Sequence, residues 1–269
     1  MFEKLICFLA RLGCNKINPI KYSKLLRFPA QSLDEKIEDM AYDYLGILTL
    51  VSTVMIIAIV FNPWFIILQI LFLVIFSVKF IKDILPIKLG RDGEKAMAQY
   101  LYTIARQTQD MYVYHDIVNN EDHYNIDHIV VSRNGIFIFD TKTYSKTKGI
   151  TDTIKIKDNC LYKNTYSINN LPLQVQGQAK WLESELRQKV GVTYKIKPTI
   201  AFIGWKIDGE NIEINGHKVY ITNARNIKSI LENKYSKPLF DDAELTRITS
   251  AMHTLASNSN KKRHMCCDK

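Results

Sequence analysis

The chain has 269 residues, room for one large domain or two small ones, and carries a formal net charge of +9. Its five cysteines, Cys7, Cys14, Cys160, Cys266 and Cys267, are odd in number and show no Cys-x-x-Cys spacing. That excludes a disulfide framework and a zinc ribbon and points to a reducing compartment. The basic excess suits a phosphate-rich partner, nucleic acid or an anionic membrane surface, and equally an ordinary solvated face.

Residues 1–14 place Phe2, Leu5, Ile6, Leu9 and Leu12 beside Lys4 and Arg11. The spacing predicts a short amphipathic helix, lying on a membrane surface or packed on protein. It is too short and interrupted for a signal peptide. A connector follows over 15–44, basic in its first half and acidic in its second, with Ser32 as a cap for a helix beginning near Leu33. Residues 45–78 contain no charged side chain. One straight helix of that length would run to about 50 Å, well past the roughly 30 Å hydrocarbon core. Asn62-Pro63-Trp64 interrupts the run, so it reads as a transmembrane helical hairpin with spans at 45–61 and 65–81 and Trp64 at the far interface. Lys16, Lys21, Lys24 and Arg27 precede the first span, and Lys79, Lys82, Lys88 and Arg91 follow the second. The positive residues predict both termini in the cytoplasm, for a bacterial chain at the inner membrane with two spans. Ser52, Thr53 and Gln69 are positioned to hydrogen-bond across the hairpin or to a second copy. Residues 82–89 read as a stalk, with Pro86 ending the membrane helix.

A helix is predicted from Glu94 to Gln107, a strand over 112–118, and then two strand-like runs, 126–132 and 136–143, separated by Asn134-Gly135. An Asn-Gly pair between β-branched runs signals a hairpin, because both residues tolerate positive φ. The uninterrupted run Ile136-Phe137-Ile138-Phe139 predicts a central strand covered on both faces. Asp127 enters the first strand; Asp140 and Lys142, two residues apart, share a face at the end of the second. Burying an acid and a lysine there for packing alone would be costly, whereas two carboxylates and a lysine can hold a divalent metal and orient a water. His115, His123 and His128 match no zinc spacing, and His128 reads as a packing or hydrogen-bonding residue.

Between 144 and 169, Lys146, Lys148, Lys155, Lys157 and Lys163 mix with Tyr144, Tyr162 and Tyr166, a composition that fits a phosphate-tracking, base-stacking surface or a solvated lysine-rich hairpin. Pro172 opens a helix to about Lys189, with Gln174, Gln178 and Trp181 on one face and Lys180 available for phosphate contact. Residues 197–205 and 217–222 predict strands, 226–233 and 241–256 helices, and 257–269 a basic, disordered tail.

The order Gly90-Arg91-Asp92-Gly93-Glu94, then Ile126-Asp127-His128, then Gly135-Ile136-Phe137-Ile138-Phe139-Asp140-Thr141-Lys142, then Pro172 with Gln174, Gln176 and Gln178, resembles the nuclease-related domain (NERD) of the PD-(D/E)xK nuclease superfamily. The resemblance covers residues 88–205, with 206–256 as an extension of the same domain. It implies an α/β fold, a restriction-endonuclease-like mixed β-sheet core flanked by helices, placed after the transmembrane hairpin. It also implies metal-dependent hydrolysis of phosphodiester bonds in DNA or RNA. Asp127 and Asp140 would be ligands of Mg²⁺ or Mn²⁺, Glu94 a third acid, Lys142 the residue beside the attacking water, and Gln174 a hydrogen-bond partner of that water or of a phosphate. Gln176 and Gln178 stay open for the position given to Gln174. Asp140 stands where the family pattern most often has Glu, and Lys148-Gly149-Ile150 comes a few residues late. Lys146, Lys148 and Lys180 would contact nucleic acid. Two other readings belong to different classes: a non-catalytic nucleic-acid tether that keeps the nuclease fold, and a structural membrane protein whose soluble domain binds a protein partner. A homodimer is compatible with all three.

Overall fold

The computed structural model describes residues 27–108, 110–119, 124–146, 152–232 and 238–267. The expected helix at 1–14, His123 and Lys148 lie outside the described residues. The chain divides into two compact units; among the described residues one is Gln31–Arg91, and the other joins Arg27–Ala30 to Asp92 and all that follows.

The first unit is a helical hairpin. Helix α1 spans Gln31–Phe61 and α2 spans Phe65–Gln107. Their turn is the expected Asn62-Pro63-Trp64. Asn62 Oδ1 accepts from the Trp64 N–H at 3.1 Å, and proline, with no N–H, loses nothing there. Each helix contains a stretch long and apolar enough to cross a membrane, with mean hydropathy 2.5 and 2.3 and none of it buried. Gln69 Nε2 donates to Ser52 Oγ across the hairpin at 3.1 Å, as the sequence predicted. At the open end Tyr44 donates to Asp83 and packs on Phe76 and Phe80.

Two expectations change here. Helix α1 starts at Gln31, so much of the acidic connector is helical and Ser32 lies inside the first turn instead of capping it. Gln31 and Glu35, one turn apart, hydrogen-bond at 3.0 Å and support that earlier start. Pro86 does not end the second helix: α2 runs through it and through the expected stalk to Gln107. One missing N–H costs about 3 kcal/mol, and the leucine, isoleucine and lysine on either side carry the helix across.

The second unit is a mixed α/β domain. Strands β1 (Tyr112–Asn119), β2 (Tyr124–Ser132), β3 (Gly135–Lys142), β7 (Ile196–Phe202), β9 (Ile212–Ile214) and β10 (His217–Thr222) form a six-stranded sheet in the order β1-β2-β3-β7-β10-β9. β3 is antiparallel to β2 and parallel to β7, and buried along nearly its whole length, as its apolar run predicted. A smaller sheet, β6-β5-β4-β8, comprises β4 (Thr153–Lys157), β5 (Cys160–Lys163), β6 (Tyr166–Ser167) and β8 (Lys206–Asp208).

One face of the large sheet packs Val130, Phe137, Phe139 and Ala201 against Met97, Leu101 and Ile104 of α2 and against α4 (Ile227–Glu232). The other packs Ile129, Val131, Ile136, Ile138 and Ile200 against α3 (Asn170–Val190) and α5 (Asp242–Cys267). The β2–β3 turn is Arg133-Asn134, because Ser132 pairs with Gly135. Only Gly135 takes a positive φ, +131°, so the glycine is needed one position later than a two-residue Asn-Gly turn would put it. Asp241 Oδ1 accepts from the Glu244 N–H at 2.7 Å and caps α5. That helix continues to Cys267, past Ala256, where a disordered tail was expected; the segment holds no glycine or proline to stop it.

Candidate active site

The acids are set by strand register. β2 and β3 pair His128 with Phe139 and Val130 with Phe137, and extending that register by one residue puts Asp127 opposite Asp140. β1 and β2 pair His115 with His128 and Ile117 with Ile126; the skipped position sets Asp116 opposite Asp127. Three aspartates thus lie in one row across β1, β2 and β3, and the row continues on β7 at Ile200. Like charges directly opposite destabilise a sheet, so each needs its own compensation.

Asp140 is 2% exposed, and its Oδ2 lies 2.8 Å from Lys142 Nζ, two residues along the same strand face. Asp127 Oδ2 accepts from the Thr141 N–H at 2.6 Å, taking a backbone donor where the ladder ends. Asp116, also buried, has φ +50° and pairs with Arg27. Helix α3 covers the Asp140 side: Gln174 Nε2 is 3.5 Å from Asp140 Oδ1. Gln178, one turn further on and 1% exposed, donates to the Asn125 carbonyl at 2.8 Å. Gln176 turns away to the Ile214 carbonyl, 3.1 Å from it.

Glu94 reaches the group from α2, on the other side of the sheet. Gly93 makes this approach possible: a Cβ there would lie 1.7 Å from Thr143 Oγ1 and 2.8 Å from Thr143 Cβ. Thr143 directly follows β3, so the glycine lets the helix backbone press on the strand end that carries Asp140 and Lys142.

The electrostatics reflect this crowding. Burial pushes the Glu94 carboxyl up to about 10, helped by the charges of Asp127, Asp116 and Asp140 and opposed by Lys142. Burial, then the Asp140 charge, raises Asp127 to about 8, against Lys142 and the Thr141 amide. Burial raises Asp140 as well, against Lys142 and Gln178. Burial alone would lower Lys142, but Asp140 and Asp127 hold it above its ordinary value. Carboxylates forced together with too little cationic charge invite a proton or a dication.

Asp127 and Asp140 are hard oxygen donors of the kind Mg²⁺ and Mn²⁺ take. Among the described residues no three His, Cys, Asp or Glu side chains form a ready-made metal cage. Mg²⁺ is ordinarily held by one or two carboxylates together with waters and substrate phosphate, so the Asp127–Asp140 pair fits such an ion without a cage.

The histidines serve packing. His115 and His128 meet Nδ1 to Nδ1 at 2.7 Å, and His115 Nε2 is 2.5 Å from the Tyr102 hydroxyl. Burial holds His115 down at about 3 and His128 well below its ordinary value, so both are neutral. Of the lysines expected to meet nucleic acid, Lys180 is exposed on α3, and Lys146, exposed, pairs with Asp152 at 2.8 Å. Lys163 lies over the Tyr144 ring, 4.2 Å from its centroid.

Sequence reasoning missed Asp116 and Arg27, and left Gln178 open beside Gln174. An acid between His115 and Ile117 inside a strand was a usable sign of a special position. Nothing local announces Arg27.

The domain is thus a mixed sheet flanked by helices, with acids and a lysine gathered at one strand end. Residues 89–203 match the family model for the nuclease-related domain, NERD, and the chain carries that domain. Glu94, Asp127, Asp140, Lys142 and Gln174 all fall within the match. No curated protein and no solved structure matches the chain.

Proposed function

We propose that this protein is a divalent-metal-dependent nuclease of the PD-(D/E)xK type, held at the cytoplasmic face of the membrane by the α1–α2 hairpin. One observation carries the reading: the β2–β3 register sets Asp127 opposite Asp140 at the end of β3, and Lys142 Nζ lies 2.8 Å from Asp140 Oδ2. Such clustering is unfavourable for folding and characteristic of working sites. The membrane reading draws on the bare apolar surface of the hairpin, where Val60 is 80% and Phe61 85% exposed. The uncharged turn and the basic flanks favour both termini inside.

In this reading Asp127 and Asp140 would hold Mg²⁺ or Mn²⁺, with Glu94 as a third acid, directly or through water. When bound, the ion supplies Lewis acidity at a phosphoryl oxygen and lowers the pKa of a water. Lys142, already 2.8 Å from Asp140, orients the attacking water and neutralises charge developing on the phosphoryl oxygens. Gln174, at the exposed rim beside Asp140, holds the water or a non-bridging phosphate oxygen. The new bond joins the water oxygen to phosphorus as that water gives up a proton to solvent, the bond to the leaving sugar oxygen breaks, and that oxygen takes a proton from solvent. Lys146 and Lys180, with exposed Lys155 and Lys157 on the small sheet, would steer the phosphate backbone.

The test uses the full chain in detergent micelles, with Mg²⁺ or Mn²⁺, on single- and double-stranded DNA and RNA. Metal-dependent cleavage should be lost in Asp140→Asn and Lys142→Ala while both retain the wild-type circular dichroism. Salt-sensitive binding of nucleic acid without cleavage of any form would replace the enzyme with a tether. Neither cleavage nor binding would shift the reading to a protein partner.

A further inference from the structure

Arg27 belongs to the short segment Arg27–Ala30, which precedes α1 in the chain yet packs with the nuclease-related domain. Its Nη2 lies 2.6 Å from Asp116 Oδ2, and both side chains are 1% exposed. Burying two charges forfeits their hydration, and an apolar pair of the same volume often holds a fold equally well. Asp116 is also backbone-strained, a non-glycine at φ +50° inside a strand, at the one rung of the β1–β2 ladder that faces Asp127. Left in ordinary strand geometry, its carboxylate would continue the acidic row beside Asp127.

The contacts continue inward. The second Asp116 oxygen accepts from Asn125 Nδ2 at 3.1 Å, two residues ahead of Asp127. The Asn125 carbonyl accepts from Gln178 Nε2 at 2.8 Å. A single chain of polar contacts therefore runs from Arg27 through Asp116 to Asn125, on the strand leading into Asp127, and on to Gln178 of α3.

We infer that Arg27 is a positioning residue. By tying up the Asp116 carboxylate and so fixing Asn125, it sets the Asp127 carboxylate against the Thr141 N–H. The segment ahead of the membrane hairpin is thus a working part of the acid site. This deepens the nuclease reading and rests on Asp127 and Asp140 being its working acids.

The test reads geometry directly, without metal or substrate. Amide hydrogen exchange at Thr141 is measured in the full chain, in micelles with chelator, as a ratio to Ile138 in the middle of β3. The ratio cancels any general loss of stability. Arg27→Ala should raise it about tenfold or more, because the Thr141–Asp127 bond loosens while the ladder around Ile138 persists. Arg27→Met combined with Asp116→Asn should return most of the protection, since asparagine tolerates the left-handed backbone and no buried charge is left unpaired. Should Arg27→Ala fail to fold, Arg27→Lys takes its place, with a smaller rise expected. An unchanged ratio in a folded variant that has lost stability would reduce the pair to a structural staple and overturn the inference. A wild-type chain that cleaves nothing, yet shows the expected exchange pattern, would remove the nuclease reading and leave the positioning of Asp127 in force.

Discussion

Gly93 offers the sharpest test of how the site is assembled. Alanine there would place its Cβ 1.7 Å from Thr143 Oγ1, 2.8 Å from Thr143 Cβ and 3.3 Å from Thr143 Cγ2. Rotating Thr143 moves the hydroxyl and the methyl but not the Cβ, so helix and strand end must separate by several tenths of an ångström. Overpacking of this kind costs about 1–3 kcal/mol. Alanine also gains about 1 kcal/mol over glycine in a helix, which would mask much of the loss in a single measurement. Gly177, inside α3 with nothing within 4 Å of its added Cβ, supplies the control. Gly177→Ala should gain about 0.4–1 kcal/mol by the same backbone effect. The difference between the two substitutions, about 1–3 kcal/mol in denaturant melts of the full chain, isolates the clash. Activity should fall more steeply than stability, about a hundredfold, because Glu94 follows Gly93 and a shift near 1 Å is costly at a reacting centre. Thr143→Gly in the Gly93→Ala background should recover both, whereas Thr143→Ala, which keeps the Cβ, should recover only part. Equal stability of Gly93→Ala and Gly177→Ala would show that α2 does not press on the end of β3.

Other outcomes follow from the same geometry. Mn²⁺ at a hundredfold its dissociation constant should stabilise the folded chain by about 2.7 kcal/mol, read as a rise in Tm that Asp127→Asn abolishes. A chain beginning at Ile87 lacks Arg27, so it should melt below the full chain by more than loss of the hairpin explains; melting of an Arg27→Met/Asp116→Asn version, which leaves no unpaired charge, provides the comparison. In a chain with the other cysteines replaced, Trp64→Cys should react with a membrane-impermeant maleimide from outside intact cells, whereas Cys160 should react only after permeabilisation. Labelling of Cys160 but not of Trp64→Cys from outside would reverse the orientation. The neutral His115–His128 pair contributes stability that is present above the ordinary histidine value of 6.5 and lost as pH falls toward about 3. A double His115→Phe/His128→Leu variant should flatten the acid limb of a stability–pH curve.

Much of this was legible because the signals were local. A charge-free run broken by Asn-Pro gives a hairpin turn, and its helices end and begin at Phe61 and Phe65, where the sequence put them. Alternation on β3 places Asp140 and Lys142 on one face, and their 2.8 Å pairing follows from that. What local pattern does not carry is register. Asp127 stands opposite Asp140 only because the turn is Arg133-Asn134; a two-residue turn at Asn134-Gly135 would have set Asp127 opposite Lys142 and Asp140 opposite Ile129. The choice among three glutamines likewise needed the rotation of α3 about its axis, which brings Gln174 to Asp140 and sends Gln178 to Asn125 and Gln176 to Ile214. Pro86 misled because a proline signal is statistical, and a strong helix on both sides can absorb one lost bond.

The row of aspartates shows why one strand end can be both stable enough to fold and charged enough to act. Asp140 has Lys142, and Asp116 has Arg27, each at ion-pair distance. Among the described residues Asp127 and Glu94 have no cation at ion-pair distance; Asp127 has one backbone N–H and the share of Lys142 that Asp140 leaves. The uncompensated charge is therefore concentrated on those two. The consequence is a difference of sign between neighbours in one row. In metal-free protein at pH 9, Asp127→Asn should stabilise the fold. Its carboxyl, raised from 3.8 to about 8, contributes stability that is fully present below 3.8 and lost as pH rises through about 8, so removing the charge removes a penalty. Glu94→Gln should behave likewise as pH rises toward 10. Asp116→Asn should instead destabilise by about 3–5 kcal/mol, because it leaves the Arg27 guanidinium buried without its counter-charge. Chelator-treated melts of the three variants across pH 6 to 9 decide the matter. If Asp116→Asn and Asp127→Asn shift stability in the same direction at pH 9, the division of the row into a paired acid and an unpaired one is wrong.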